Sequence, residues 1–178
     1  MHLRHTRGAV MALFTAALVA VALVPPAAAQ TGQRFAVLVE GASGDQAHAD
    51  LQRKELNALV EKFRGEFKLD AQHLIVLASV PKDGEGKSTA VDVKATFAKV
   101  VPQVGPLDTL FVLLLGHGSW DGTDAKFNLV GPDLTEKEWA ALVKPVAGRV
   151  VFVNTTPASA PFLKALAGPN RVTITATD

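Results

Sequence analysis

The stretch Thr109-Leu110-Phe111-Val112-Leu113-Leu114-Leu115-Gly116-His117-Gly118-Ser119 decides the fold. Its first seven residues are almost continuously apolar, with no in-out alternation. That pattern belongs to a strand buried on both faces of a parallel sheet. The run stops at a histidine held between two glycines. Glycine lets the backbone turn sharply and come close to another group. In an open parallel sheet, ligands bind outside the carboxyl ends of the strands. His117 therefore stands where chemistry is done rather than where side chains pack. Its natural work is proton transfer, because an unperturbed imidazole titrates near pH 6.5.

Outward from this strand, apolar runs alternate with amphipathic segments. Arg34–Glu40 reads as a buried strand that exits through Gly41-Ala42-Ser43-Gly44. Asp45 caps a helix with Leu51, Leu56, Leu59, Val60 and Phe63 on one face and Gly65 as its stop. His73–Ala78 is a second strand, followed by a loop from Val80 to Lys87. Ser88 or Thr89 caps a helix that carries Val91, Phe97 and Val101 and ends at Pro102. Beyond the central strand, Trp120–Asp133 is polar and reads as a loop. Thr135-Glu136-Lys137-Glu138 is a capping box whose helix runs to about Val143. Arg149–Asn154 is a fourth strand, Ser159 caps a short helix with Phe162, Leu163 and Leu166, and Arg171–Thr177 is a fifth strand. Such alternation predicts an α/β fold, a mostly parallel sheet flanked by helices. The fifth strand has no closing helix after it, so the domain is expected to be incomplete at its C-terminus.

Residues 1–29 stand apart. His2, Arg4, His5 and Arg7 form a basic head, residues 9–24 are uncharged and mostly apolar, and Pro25-Pro26-Ala27-Ala28-Ala29 supplies small residues for cleavage before Gln30. This is the pattern of a secretory signal peptide, and the apolar run is short for a bilayer span. The expected domain is then 30–178, in a secreted or periplasmic protein. The leader holds two of the 18 Lys and Arg and none of the 17 Asp and Glu, which leaves the remainder at −1. That balance gives no reason to expect nucleic acid or an anionic membrane as a partner. The chain has no cysteine, so neither a disulfide nor a thiolate metal site is available.

Several motifs invite sharper readings. Gly84-Glu85-Gly86-Lys87-Ser88-Thr89 imitates a phosphate-binding loop, but the position of the first glycine is Pro81, which has no N–H to offer. Asp121-Gly122-Thr123-Asp124 lacks the ordered oxygen ligands of an EF-hand and reads as a turn that carries Trp120 over the site mouth. His48 and His73 are too far apart in the pattern to form a metal pair, and surface or packing roles suffice. No metal or cofactor is expected. A base at His117 needs a nucleophile within reach, and a neighbouring parallel strand ends about 4.8 Å away. The candidate is the end of the fourth strand, Asn154-Thr155-Thr156-Pro157-Ala158-Ser159.

A strand ending in Gly-His-Gly, followed by a strand that ends in a nucleophile before a helix, resembles the caspase–legumain group of cysteine peptidases. The resemblance covers most of the chain after the leader, including Gly105-Pro106-Leu107-Asp108-Thr109 before the central strand. Residues 119–132 are similar to bacterial exported members of the group. The resemblance implies a caspase-like three-layer sandwich, with His117 as the catalytic histidine. It also implies an oxyanion site made by the backbone N–H groups of Gly118 and of the nucleophile. The nucleophilic cysteine falls at Thr156, or at Thr155 with a slip of one residue. A threonine hydroxyl is far less acidic than a thiol. The resemblance therefore implies a peptidase homologue without peptidase activity, whose cleft binds a peptide or protein partner. The alternative is a hydrolase that uses Thr156 with His117.

Overall fold

The computed structural model describes residues 31–177. The expected signal peptide and its cleavage point lie outside the described residues.

Strands β1 (Arg34–Glu40), β2 (Leu74–Ala78), β3 (Gly86–Lys87), β4 (Thr109–Leu115), β8 (Arg149–Asn154) and β9 (Arg171–Thr175) form one sheet in the order β3-β2-β1-β4-β8-β9. Every pairing in it is parallel. Helices α1 (Gln46–Gly65), α2 (Ala90–Val100), α3 (Glu136–Val143) and α4 (Pro161–Ala165) complete it. The protein is an α/β three-layer sandwich, as the alternation predicted.

The two layers are unequal. Alternate residues of the central strands, Phe35, Val37, Val39, Leu110, Val112, Leu114, Val150 and Phe152, pack against α2, α3 and α4. Trp139 is the centre of that layer, in edge contact with Phe97, Phe127 and Phe152 at centroid distances of 5.9, 6.0 and 5.8 Å. On the other face, Ala36, Leu38, Leu74 and Val76 pack with Leu56 and Phe63 of α1 and with Leu69, and Leu59 and Val60 of α1 pack against them part-buried. The register continues that face through Val151 and Val153 to Val172 and Ile174. There it runs out of cover, and Val172 and Ile174 are 46% and 52% exposed.

Asp108 fixes the amino ends of three strands. Its side chain accepts the N–H of Gln33 at 2.6 Å and of Gly105 at 2.8 Å, and its carbonyl accepts the N–H of Arg149 at 2.9 Å.

Several expectations change in detail. In α1 the inward stripe is Gln52, Leu56 and Phe63, while Leu51 is turned out by one residue's rotation of about 100°. In α2 the stripe is Val93, Phe97 and Val100, which leaves Val91 exposed. Thr89, not Ser88, caps that helix, and a single 3₁₀ turn (Val101–Gln103) follows it. Ser159 does not cap α4: its buried hydroxyl lies 3.3 Å from that of Thr177. The loop at 80–87 ends in the short strand β3. The segment Trp120–Asp133 is no plain loop either. Strands β5 (Gly118–Trp120), β6 (Ala125–Phe127) and β7 (Leu134–Thr135) form a small antiparallel sheet over the carboxyl end of β4.

Two outcomes follow. Trp139→Ala should cost ~3–5 kcal/mol, read as a lower urea midpoint, because three aromatic neighbours cannot close the cavity. The second concerns the capping box of α3, which is present as expected. The Thr135 backbone N–H, then the Lys94 ammonium, hold the Glu138 carboxyl below its ordinary value of 4.5. A lowered carboxyl pKa stabilises fully above the unfolded value and is lost as pH falls through the folded one. Glu138→Gln should therefore flatten the acid limb of stability below about pH 4.5 in denaturation curves collected across pH.

Candidate functional site

The site lies at the carboxyl ends of β1, β4 and β8, where the main sheet meets the small one. The two glycines around His117 answer to different constraints. Gly116 has φ +145°, and a side chain there would sit 3.3 Å from the backbone of Gly41. Gly118 needs space: a Cβ would lie 2.3 Å from the carbonyl oxygen of Pro157 and 2.5 Å from Thr156 Oγ1. The histidine backbone between them is tied down, since its carbonyl accepts the Asn128 N–H at 3.0 Å.

The His117 ring is half-buried and leans toward β1, away from β8. Its Nε2–H donates to the carbonyl of Ser43 at 3.2 Å, in the loop that leaves β1. Its other neighbour is His48, in the first turn of α1, with ring centroids 5.1 Å apart and planes at 69°. His48 Nδ1–H donates to Asp45 Oδ2 at 2.8 Å, and the His48 backbone N–H donates to Asp45 Oδ1 at 2.9 Å. These bonds, the backbone one foremost, hold the Asp45 carboxyl below its ordinary range. His48 was expected only to pack or face solvent, and its place beside His117 is the main feature the sequence reading missed. His73 does pack, with its ring 4.2 Å from that of Phe35.

Thr156 is fully buried at the end of β8. Its hydroxyl donates to Asn154 Oδ1 at 2.7 Å, with the Pro157 carbonyl oxygen at 3.2 Å. Its backbone N–H also goes to Asn154 Oδ1, at 3.1 Å. One of the two N–H groups expected to face an oxyanion is thus already engaged. Thr155 is exposed, and both its N–H and its hydroxyl donate to the Leu114 carbonyl, at 3.1 and 2.8 Å. Among the described residues, no hydrogen bond joins His117 to Thr156 or to Thr155. The structure brings Thr156 against Gly118 but turns His117 to the opposite neighbour strand.

Beyond Gly118, β5 carries Trp120, whose half-exposed ring walls a cleft of about 430 Å³ with Ala158, Ala160 and Pro161. The turn after it is built as expected, with Asp121 Oδ1 accepting the N–H groups of Thr123 and Asp124. The phosphate-loop imitation is spent on structure. Both carboxylate oxygens of Glu85 accept from Arg53 Nη1 at 2.9 Å, and Arg53 Nη2 donates to the buried Glu40 at 3.3 Å. Among the described residues, no group of three or more His, Asp or Glu is placed to hold a metal ion. No helix among them is long and apolar enough to cross a membrane.

No family model matches the chain. No curated protein matches it either. Among solved structures it is similar to protein GSU0716 from Geobacter sulfurreducens, at 19% identity and a TM-score of 0.49, over 70% of this chain and 50% of that one. The chain spans about half the length of that protein.

The packing at Gly118 makes a direct test. Gly118→Ala should destabilise by ~1–3 kcal/mol, because the new methyl meets backbone rather than a flexible side-chain tip. An unchanged denaturation midpoint would refute the close approach of β5 to residues 156–157.

Proposed function

We propose that the chain is an exported caspase- or legumain-like peptidase homologue without peptidase activity, and that its cleft binds a peptide or protein segment. The observation that carries this reading is where the Thr156 proton goes. A hydroxyl nucleophile must hand its proton to a base within hydrogen-bond reach. Thr156 hands it to an amide oxygen, Asn154 Oδ1, which is no base. Among the described residues no hydrogen bond links Thr156 to His117, whose ring is held by the Ser43 carbonyl. Full burial of the side chain also keeps an incoming carbonyl carbon away from Oγ1.

The binding half of the proposal rests on what the site keeps. Trp120, on the strand that follows His117, stands half-exposed beside an uncharged cleft that it shares with Ala158, Ala160 and Pro161. Large exposed aromatics next to apolar concavities are the usual anchors of peptide recognition. Export is supported by the basic head, apolar run and small-residue end of residues 1–29.

A mixed peptide and ester library supplies the test. The wild type should turn over no substrate, while binding peptides should raise its melting temperature and Trp120→Ala should remove that rise. Turnover that disappears in His117→Ala would establish the hydrolase reading instead. Absence of a thermal shift with every peptide pool would remove the binding role.

A further inference from the structure

We infer that His48 and His117 together form a binding site for a transition-metal divalent cation such as Zn²⁺, held by two imidazoles with its remaining positions open. The inference starts from hydrogen bonds that fix both tautomers. A carboxylate can only accept, so the 2.8 Å contact to Asp45 Oδ2 places a hydrogen on His48 Nδ1. A carbonyl can only accept, so the 3.2 Å contact to Ser43 places a hydrogen on His117 Nε2. In its neutral form each ring keeps one unprotonated nitrogen, Nε2 on His48 and Nδ1 on His117. These are ligand atoms, and imidazole suits zinc, copper and nickel.

The separation of the ring centres allows a shared ion. A Zn–N bond of about 2.0–2.1 Å plus roughly 1.1 Å from nitrogen to ring centre, at a tetrahedral angle, sets two ligating imidazoles about 5.2 Å apart. The observed separation is 5.1 Å. The surroundings match as well. Metal-binding histidines almost always donate their second N–H to a carboxylate or a backbone carbonyl, which orients the ring and raises its basicity. Here one ring has the carboxylate and the other has the carbonyl. His48 is largely exposed, so an ion has an entry path. Two protein donors leave the remaining coordination positions open to water or another ligand. The ion would occupy the nitrogen of His117 that faces away from Ser43, whether or not the cleft binds peptide.

Titration calorimetry of the full chain with ZnCl₂, with MgCl₂ as the hard-cation control, tests the inference. The wild type should bind Zn²⁺ and show no heat with Mg²⁺. His48→Ala changes an exposed side chain and should weaken the zinc site at least tenfold, and His117→Ala should do the same. Asp45→Asn is the discriminating variant. Asparagine caps a helix as well as aspartate does, so the fold should be unchanged. Losing the carboxylate behind His48 should nevertheless weaken zinc by about 10–100-fold. A wild type that takes up no zinc would overturn the inference. So would His48→Ala and His117→Ala chains that bind it as tightly as the wild type.

Discussion

Strand β4 is paired along its length on both sides, by β1 from Arg34↔Thr109 to Glu40↔Leu115 and by β8 from Thr109↔Arg149 to Leu114↔Asn154. It packs against apolar side chains above and below. A strand so enclosed has no place for a polar side chain along its length, because an unpartnered polar group there would cost several kcal/mol. Polar chemistry is therefore driven to its end. The same constraint acts on its neighbours: β1 ends in the buried Glu40 and β8 in the buried Asn154. Three parallel strands that end together deliver their first polar residues to one place. The site exists because the sheet has nowhere else to put them.

That convergence delivers groups without deciding how they pair. β4 lies between β1 and β8, so a side chain at its end can lean either way. His117 leans to β1, where Ser43 and His48 meet it. Thr156, on the opposite side, is enclosed by Asn154, Pro157 and Gly118. A short side chain on a buried β-branched residue has little freedom to turn away from such partners. The two groups that would form a dyad are thus adjacent in the sheet yet engaged in separate hydrogen-bond systems. On the β1 side stand the carboxylates of Glu40 and Asp45 and two imidazoles; on the β8 side, a neutral amide and hydroxyls.

Much of the sheet was legible because buried parallel strands write themselves as continuous apolar runs, as at 35–39 and 110–115. The capping box at Thr135 and Glu138 was legible because its residues are local. Helix faces were less so. Leu51 and Val91 are apolar and still point outward, while Gln52 is buried against the approach of Gly116 to Gly41. Residue type alone does not reveal which stripe meets the sheet. The small sheet of β5, β6 and β7 was missed because its strands are only two or three residues long, too short for alternation to register. The His48–His117 contact spans 69 positions and has no local signature. The available signal was that an N-capping Asp45 places His48 in the first helical turn after β1, the neighbour of β4. Topology was needed to turn that into proximity.

The inequality of the two helical layers also has a consequence for where the fold is firm. The row Phe111, Val151, Val172 crosses three strands on the face that α1 covers, and so does the row Leu113, Val153, Ile174. Cover fades along each row, from residues packed against the α1 cluster to side chains about half exposed on β9. Among the described residues β9 pairs with β8 alone and meets helix on one face, so it has less burial to lose on opening than β1 or β4. The carboxyl ends of β1 and β4 sit at the other extreme, paired on both sides and enclosed by both layers. His117 is thereby mounted on the firmest part of the sheet, its ring fixed by the Ser43 carbonyl, while Asp45 fixes the ring of His48 in the exposed first turn of α1. Thr156 is mounted on β8, the strand next to the least covered edge. A site that must hold a fixed geometry is better supported on the β1 side than on the β8 side, and that is the side to which His117 has turned.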